Sequence, residues 1–198
     1  MRERGREIAL WQVDGTPDWS FGELAREAEK MAAWLTKQPG GQELSGRVVA
    51  LGWEHGPEWL TALLALWKCG AVVLLSGPTG PEPGPSVGAA LRACGALAVL
   101  HSGADGAPRW LKLEHAPIPL PAHTVLLKMT SGTTATPKLL AFTTAQLAAD
   151  LQQILADMGL QPTDRNFGLL PWSHSYGFSN LVSPVRQDKP NRSNIMKR

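Results

Sequence analysis

The chain has 198 residues, 43% of them hydrophobic and 18% charged, with a formal net charge of +2 at pH 7. That length can bury a full domain core, and the balance excludes a disordered chain, which needs low hydropathy and high net charge. The positive excess sits in residues 186–198, where Arg186, Lys189, Arg192, Lys197 and Arg198 outnumber the single acid Asp188; the body is slightly acidic and offers no basic stripe to a nucleic acid.

Residues 1–10 carry charges throughout and lack an apolar h-region, so no secretory signal is expected. Ser20-Phe21-Gly22-Glu23 reads as a capping box, followed by Phe21, Leu24, Ala28, Met31 and Leu35 at helical spacing until Pro39-Gly40-Gly41 stops the run. Residues 48–51 form a short apolar strand, Pro57 opens a helix with Leu60, Leu63, Leu64 and Trp67 on one face, Gly70 closes it, and residues 71–75 make the next strand. Residues 59–75 are apolar enough to raise the question of a membrane span. Lys68 near their middle would cost about 2.5–3.5 kcal/mol in a bilayer, and Cys69-Gly70 divides the stretch into helix and strand, so no span is expected.

Residues 76–85 mix Gly77, Gly80 and Gly84 with prolines and lack the dinucleotide spacing, so they read as a connecting loop. Ser86 is expected to cap a short helix through Val87, Ala90, Leu91 and Cys94; Gly95 ends it, and residues 96–100 give another strand. Fully apolar strands alternating with helices predict an α/β fold with a mostly parallel sheet flanked by helices, and no internal repeat is evident. Cys69 and Cys94 are the only cysteines and have no Cys or His at ligand spacing, which points away from zinc or a disulfide and toward reduced thiols in a cytoplasm.

After a proline-interrupted stretch at 117–121, a strand at 124–129 runs into Thr130-Ser131-Gly132-Thr133-Thr134-Ala135-Thr136-Pro137-Lys138. Small side chains let backbone N–H groups converge, hydroxyls add donors, and the ammonium neutralises charge, which together suit a polyphosphate. The lysine follows proline, so this is not a Walker A loop. Residues 139–142 read as a returning strand that makes the cradle a hairpin tip, and a helix begins near Thr143 or Thr144 with Leu147, Leu151, Ile154, Leu155 and Met158 on one face. The competing reading is an ordinary polar turn, for which the same residues are expected. His174, after a strand expected at 167–170 and between Trp172 and Tyr176, reads equally as a packed core histidine. Nothing is assigned to His55, His101, His115 or His123.

The string TSGTTATPK resembles the TSGTTGxPKG phosphate-loop motif of the AMP-binding, acyl-adenylate-forming superfamily, which includes acyl-CoA synthetases, aryl-acid ligases and peptide synthetase adenylation domains. Three further blocks resemble it in order: Trp19-Ser20-Phe21-Gly22-Glu23-Leu24, residues 66–73 with Lys68, Gly70 and Ala71, and Leu170-Pro171-Trp172-Ser173-His174-Ser175-Tyr176-Gly177. The resemblance implies that a carboxylate attacks the α-phosphorus of ATP, pyrophosphate leaves, and the acyl-AMP passes to CoA, a carrier thiol or an amine. Thr130, Ser131, Gly132, Thr133, Thr134 and Lys138 would hold the nucleotide phosphates, with Lys138 stabilising the leaving charge; His174 would orient the acid; magnesium would accompany ATP.

Two departures qualify the pattern. Ala135 stands where the family usually has glycine, a change costing about 1 kcal/mol or more if φ is positive there, and Leu139 replaces a second glycine. The family's Thr-Glu pair, ribose-binding acid, hinge and mobile domain with a second lysine are not among these residues. Residues 1–185 therefore read as an incomplete N-terminal AMP-binding domain and 186–198 as a basic, non-matching tail, an early stop after altered sequence. The expectation is a ligase portion inactive by itself. The rivals are a noncatalytic remnant that binds a partner, such as a carboxy-terminal portion supplied by another chain, and a self-sufficient P-loop phosphotransferase, which lacks its Walker lysine.

Overall fold

A computed structural model describes residues 5–11, 15–130, 138–159, 170–174 and 177–179. A hairpin of β1 (Ile8–Trp11) and β2 (Pro17–Ser20) leads into α1 (Phe21–Leu35), followed by β3 (Val48–Leu51), α2 (Pro57–Lys68), β4 (Val72–Leu75), α3 (Pro85–Ala93), β5 (Ala98–Ser102), β6 (Pro108–Lys112), β7 (Thr124–Thr130), β8 (Lys138–Thr143) and α4 (Thr144–Asp157). The six later strands form one sheet in the order β6-β5-β3-β4-β7-β8. The four central strands are parallel, while both edges, β6 on β5 and β8 on β7, pair antiparallel.

The central strands carry no polar face because both faces are covered. Val49, Leu51, Val73, Leu75 and Leu100 join Leu24, Leu35, Trp59, Leu63 and Leu66 from α1 and α2 in one core. Val48, Ala50, Val72, Leu74 and Val99 meet Ala90, Leu91 and Cys94 of α3 in the other. Alternation of period two thus divides each apolar run between two cores, as a sheet buried on both faces requires.

The helix ends follow local chemistry. Ser20 and Glu23 make both bonds of the expected capping box before α1. At the end of α2, Gly70 has φ of 75° and donates to the Trp67 carbonyl, and Ala71 donates to Leu66. This Schellman turn needs a left-handed residue, which glycine adopts without a Cβ penalty. Cys94-Gly95-Ala96 repeats it after α3.

Several expectations change. Ser86 does not cap α3: the helix starts one residue earlier at Pro85, with Gly84 at the cap and no side-chain cap bond, because proline already suits the first helical position. Helix α2 has no single apolar face; Trp59, Leu60, Thr61, Ala62, Leu63, Ala65 and Leu66 are all buried, whereas Leu64 and Trp67 are half-buried. Strands β1, β2 and β6 were not expected; β2 and β6 carry no apolar run, whereas β1 is the short apolar stretch Ile8–Trp11. Of the strand expected at 167–170, only Leu170 is described, and it lies in a bend. No helix among the described residues is long and apolar enough to cross a membrane. Lys68 instead pairs with Glu29 of α1 at 3.0 Å.

Candidate functional site

After β3 the chain passes to α2 on one face of the sheet, and after β4 to α3 on the other. The connections leaving the carboxyl ends of these neighbouring parallel strands thus run to opposite faces, the switch point whose crevice binds ligands in open α/β sheets. Thr79 donates its backbone N–H to the Gly52 carbonyl at 2.9 Å, and the Ser76 hydroxyl donates to Leu51 at 3.1 Å, so the two loops are held together. Strand β7 lies beside β4 and ends at the same side of the sheet.

There the sequence-expected hairpin forms. Thr130 is the register partner of Lys138, and the intervening pairs run back through Leu127 and Ala141. The Thr130 hydroxyl donates to the Lys138 carbonyl at 3.4 Å, and the Lys138 side chain is exposed. Ser131, Gly132, Thr133 and Thr134 lie outside the described residues, as does Ala135. The helix expected after the returning strand begins at Thr144, where Thr143 and Gln146 form a second capping box.

Residues 170–174 lie against the start of α2 and the loop after β4, with the Ser173 hydroxyl beside Gly77. The Trp172 ring stands 5.6 Å from Trp59, edge-on, and 5.9 Å from His55, so an unassigned histidine borders the site. The His174 backbone N–H donates to Pro171 at 3.0 Å, and its carbonyl accepts from Phe178 at 2.9 Å. Its side chain is exposed rather than packed in the core. Gly177 has its place for a steric reason: a Cβ there would overlap the Pro171 carbonyl oxygen. Only glycine lets this segment fold back on itself.

Lys128, two residues before Thr130, is the site's least expected group. It is 5% exposed, and its Nζ lies 4.8 Å from the centre of the Phe142 ring and 5.0 Å from that of Phe178. Burial lowers its pKa below the ordinary lysine value, and Asp150 opposes the shift. Asp150 accepts a hydrogen bond from the Ser179 hydroxyl at 3.1 Å. Two aromatic faces partly replace the lost hydration of the ammonium. Trp67 completes the joint, donating its indole N–H to the Val125 carbonyl at 3.0 Å and meeting Phe178 edge-on at 6.2 Å. The strand into the loop, the end of α2 and the segment after His174 therefore share one packing unit. Lysine in an apolar run was the available sequence signal for it.

The profile of the family described as AMP-binding enzyme matches residues 1–117. The chain belongs to this family. It is 24% identical to a CoA ligase of Gibberella moniliformis (strain M3125 / FGSC 7600), an alignment that covers 93% of this chain and 35% of that protein. Among solved structures, the O-succinylbenzoate Coenzyme A synthetase MenE of Bacillus subtilis in complex with AMP has a TM-score of 0.69 at 21% identity, covering 93% of this chain and 52% of the other. The anthranilate CoA ligase AuaEII in complex with anthranoyl-AMP has a TM-score of 0.72 at 20% identity, covering 93% and 41%. The N-terminal subdomain of Klebsiella oxytoca NpsA gives 0.62 at 23%, covering 85% and 47%. The chain thus spans about a third of the curated relative and about half of MenE. These likenesses establish the fold of this AMP-binding enzyme chain.

Proposed function

We propose that this chain supplies the phosphate-binding portion of a ligase that activates a carboxylic acid as acyl-AMP, with release of pyrophosphate, and then passes the acyl group to CoA, a carrier thiol or an amine. The observation that carries the reading is the β7–β8 hairpin closing between Thr130 and an exposed Lys138 at the carboxyl end of the sheet, beside the crevice. In this role the Lys138 ammonium and the Thr130 hydroxyl, with Ser131, Gly132, Thr133 and Thr134, bind the β- and γ-phosphates. Charge grows there as pyrophosphate leaves, so fixed donors lower the barrier more than they tighten substrate. His174 orients the acid carboxylate from the other side of the crevice.

Among the described residues no three His, Cys, Asp or Glu side chains gather to hold a metal ion. Magnesium that accompanies ATP would be held largely by the phosphates and water, and the chemistry ascribed to these residues is charge neutralisation and orientation. Burial raises the pKa of Cys69 and pushes that of Cys94 up to about 11, so neither is an activated thiolate.

Residues 1–185 act in this reading as an incomplete AMP-binding domain and 186–198 as a tail outside it. Pyrophosphate exchange with a panel of carboxylic acids should therefore be blank for this chain alone; robust turnover would overturn the claim that groups beyond it are required. In the longer context Ala135→Gly should tighten ATP binding, and unchanged affinity would remove Ala135 as a cause of weak grip. A second reading, a noncatalytic module that docks a complementary portion from another chain, draws support from Leu140 of β8 and Met158 at the end of α4, which are 48% and 55% exposed. Calorimetric titration with ATP separates the two, since a pure docking module has no need of nucleotide.

A further inference from the structure

A second concavity, of about 280 Å³, lies on the β6–β5–β3 half of the sheet, away from the β7–β8 hairpin. Its walls include the indoles of Trp19 from β2, Trp34 from α1 and Trp53 after β3, together with the Met31 thioether. Trp53 is 6% exposed and anchored in the core beneath, while Trp19 and Trp34 are half-buried against the same core. None of the three indoles is in ring contact with another, so they surround the space instead of filling it by stacking.

Two carboxylates border these aromatic walls, Glu27 and Glu58. Lys30 neutralises Glu27 through an ion pair of 2.7 Å. Glu58, exposed in the first turn of α2, has no ion pair among the described residues, so the groove keeps one negative charge offset only by the end of the helix. Indole faces attract cations through the ring quadrupole, and a nearby carboxylate adds a monopole of the same preference. A metal ion would demand several oxygen ligands, and among the described residues no three His, Cys, Asp or Glu side chains gather to supply them. A volume just under the roughly 300–1,000 Å³ of drug-sized pockets suits one small headgroup.

We propose that the Trp19, Trp34, Trp53 and Glu58 groove is a binding site for a small organic cation, an alkylated ammonium group. The site is independent of the phosphate hairpin and stands whether or not the ligase reading does. The test is an NMR titration of the indole N–H resonances of this chain with tetramethylammonium and choline, set against 3,3-dimethylbutanol, the uncharged analogue of choline. Both cations should shift the Trp19, Trp34 and Trp53 resonances saturably and leave those of Trp59 and Trp67 unmoved, while the neutral analogue has little effect at equal concentration. Trp34→Leu should weaken binding about 5- to 30-fold, and Glu58→Gln, which disturbs no core contact, about two- to fivefold. Equal shifts from the neutral analogue, shifts spread over all indoles, or no saturation with either cation would overturn the proposal.

Discussion

Helices α2 and α4 both follow strands at the carboxyl side of their loops, yet their environments differ sharply. Over 12 residues α2 buries seven, whereas α4, with 14 residues, buries only Leu151 among the side chains described. Helix α2 is sandwiched between α1 and two central strands; α4 covers the edge strand β8. The core that supports the fold is concentrated under α2, while α4, on the flank of the β7–β8 hairpin, has few buried side chains among the described residues. A substitution in one region should register as stability and in the other as binding.

The largest expected effect breaks the core side. Trp59 is fully buried, and Trp59→Ala should lower unfolding free energy by about 3–5 kcal/mol in urea denaturation, against under ~1 kcal/mol for Leu155→Ala in α4. Similar losses at both would erase the distinction. Trp59 also buries an indole N–H without a hydrogen-bond partner, a sign that apolar packing rather than polar pairing fixes this residue.

Lys128 sharpens the contrast at the seam between the regions. Burial lowers its folded pKa below 10.5, so across the interval up to that value the unfolded chain binds more protons and stability rises with pH. The penalty is fully present below the folded pKa. Lys128→Met should remove this alkaline gain and be within about 1 kcal/mol of the parent at neutral pH, or more stable. Denaturation curves from pH 7 to 10.5 check it; an unchanged pH slope in Lys128→Met would contradict the assignment. Smaller effects come from the two capping boxes. Ser20→Ala and Thr143→Ala should each cost about 1 kcal/mol, and neither should alter binding at the Thr130–Lys138 tip, which lies at the far end of the β7–β8 pair from Thr143.

What could be read from the sequence follows the same division. Residues 48–51, 72–75 and 98–100 are unbroken apolar runs because both sheet faces are covered, and the caps at Ser20 and Thr143 and the stops at Gly70 and Gly95 depend on local geometry alone. Strands β2 and β6 were illegible: both begin with proline and lie at sheet edges, so neither needs an apolar run. The hairpin between Thr130 and Lys138 was legible from its turn chemistry. The link between Lys128, Phe142, Asp150 and Phe178 was not, since four separate segments meet there and no spacing along the chain records it.

Calorimetric titration of this chain and of Lys138→Ala with pyrophosphate and with ATP tests the phosphate-hairpin claim most directly. The chain should bind both, and loss of the ammonium should weaken each at least about tenfold, as expected for a charge-assisted contact. Equal heats and affinities for the two proteins would mean that the hairpin is only a turn.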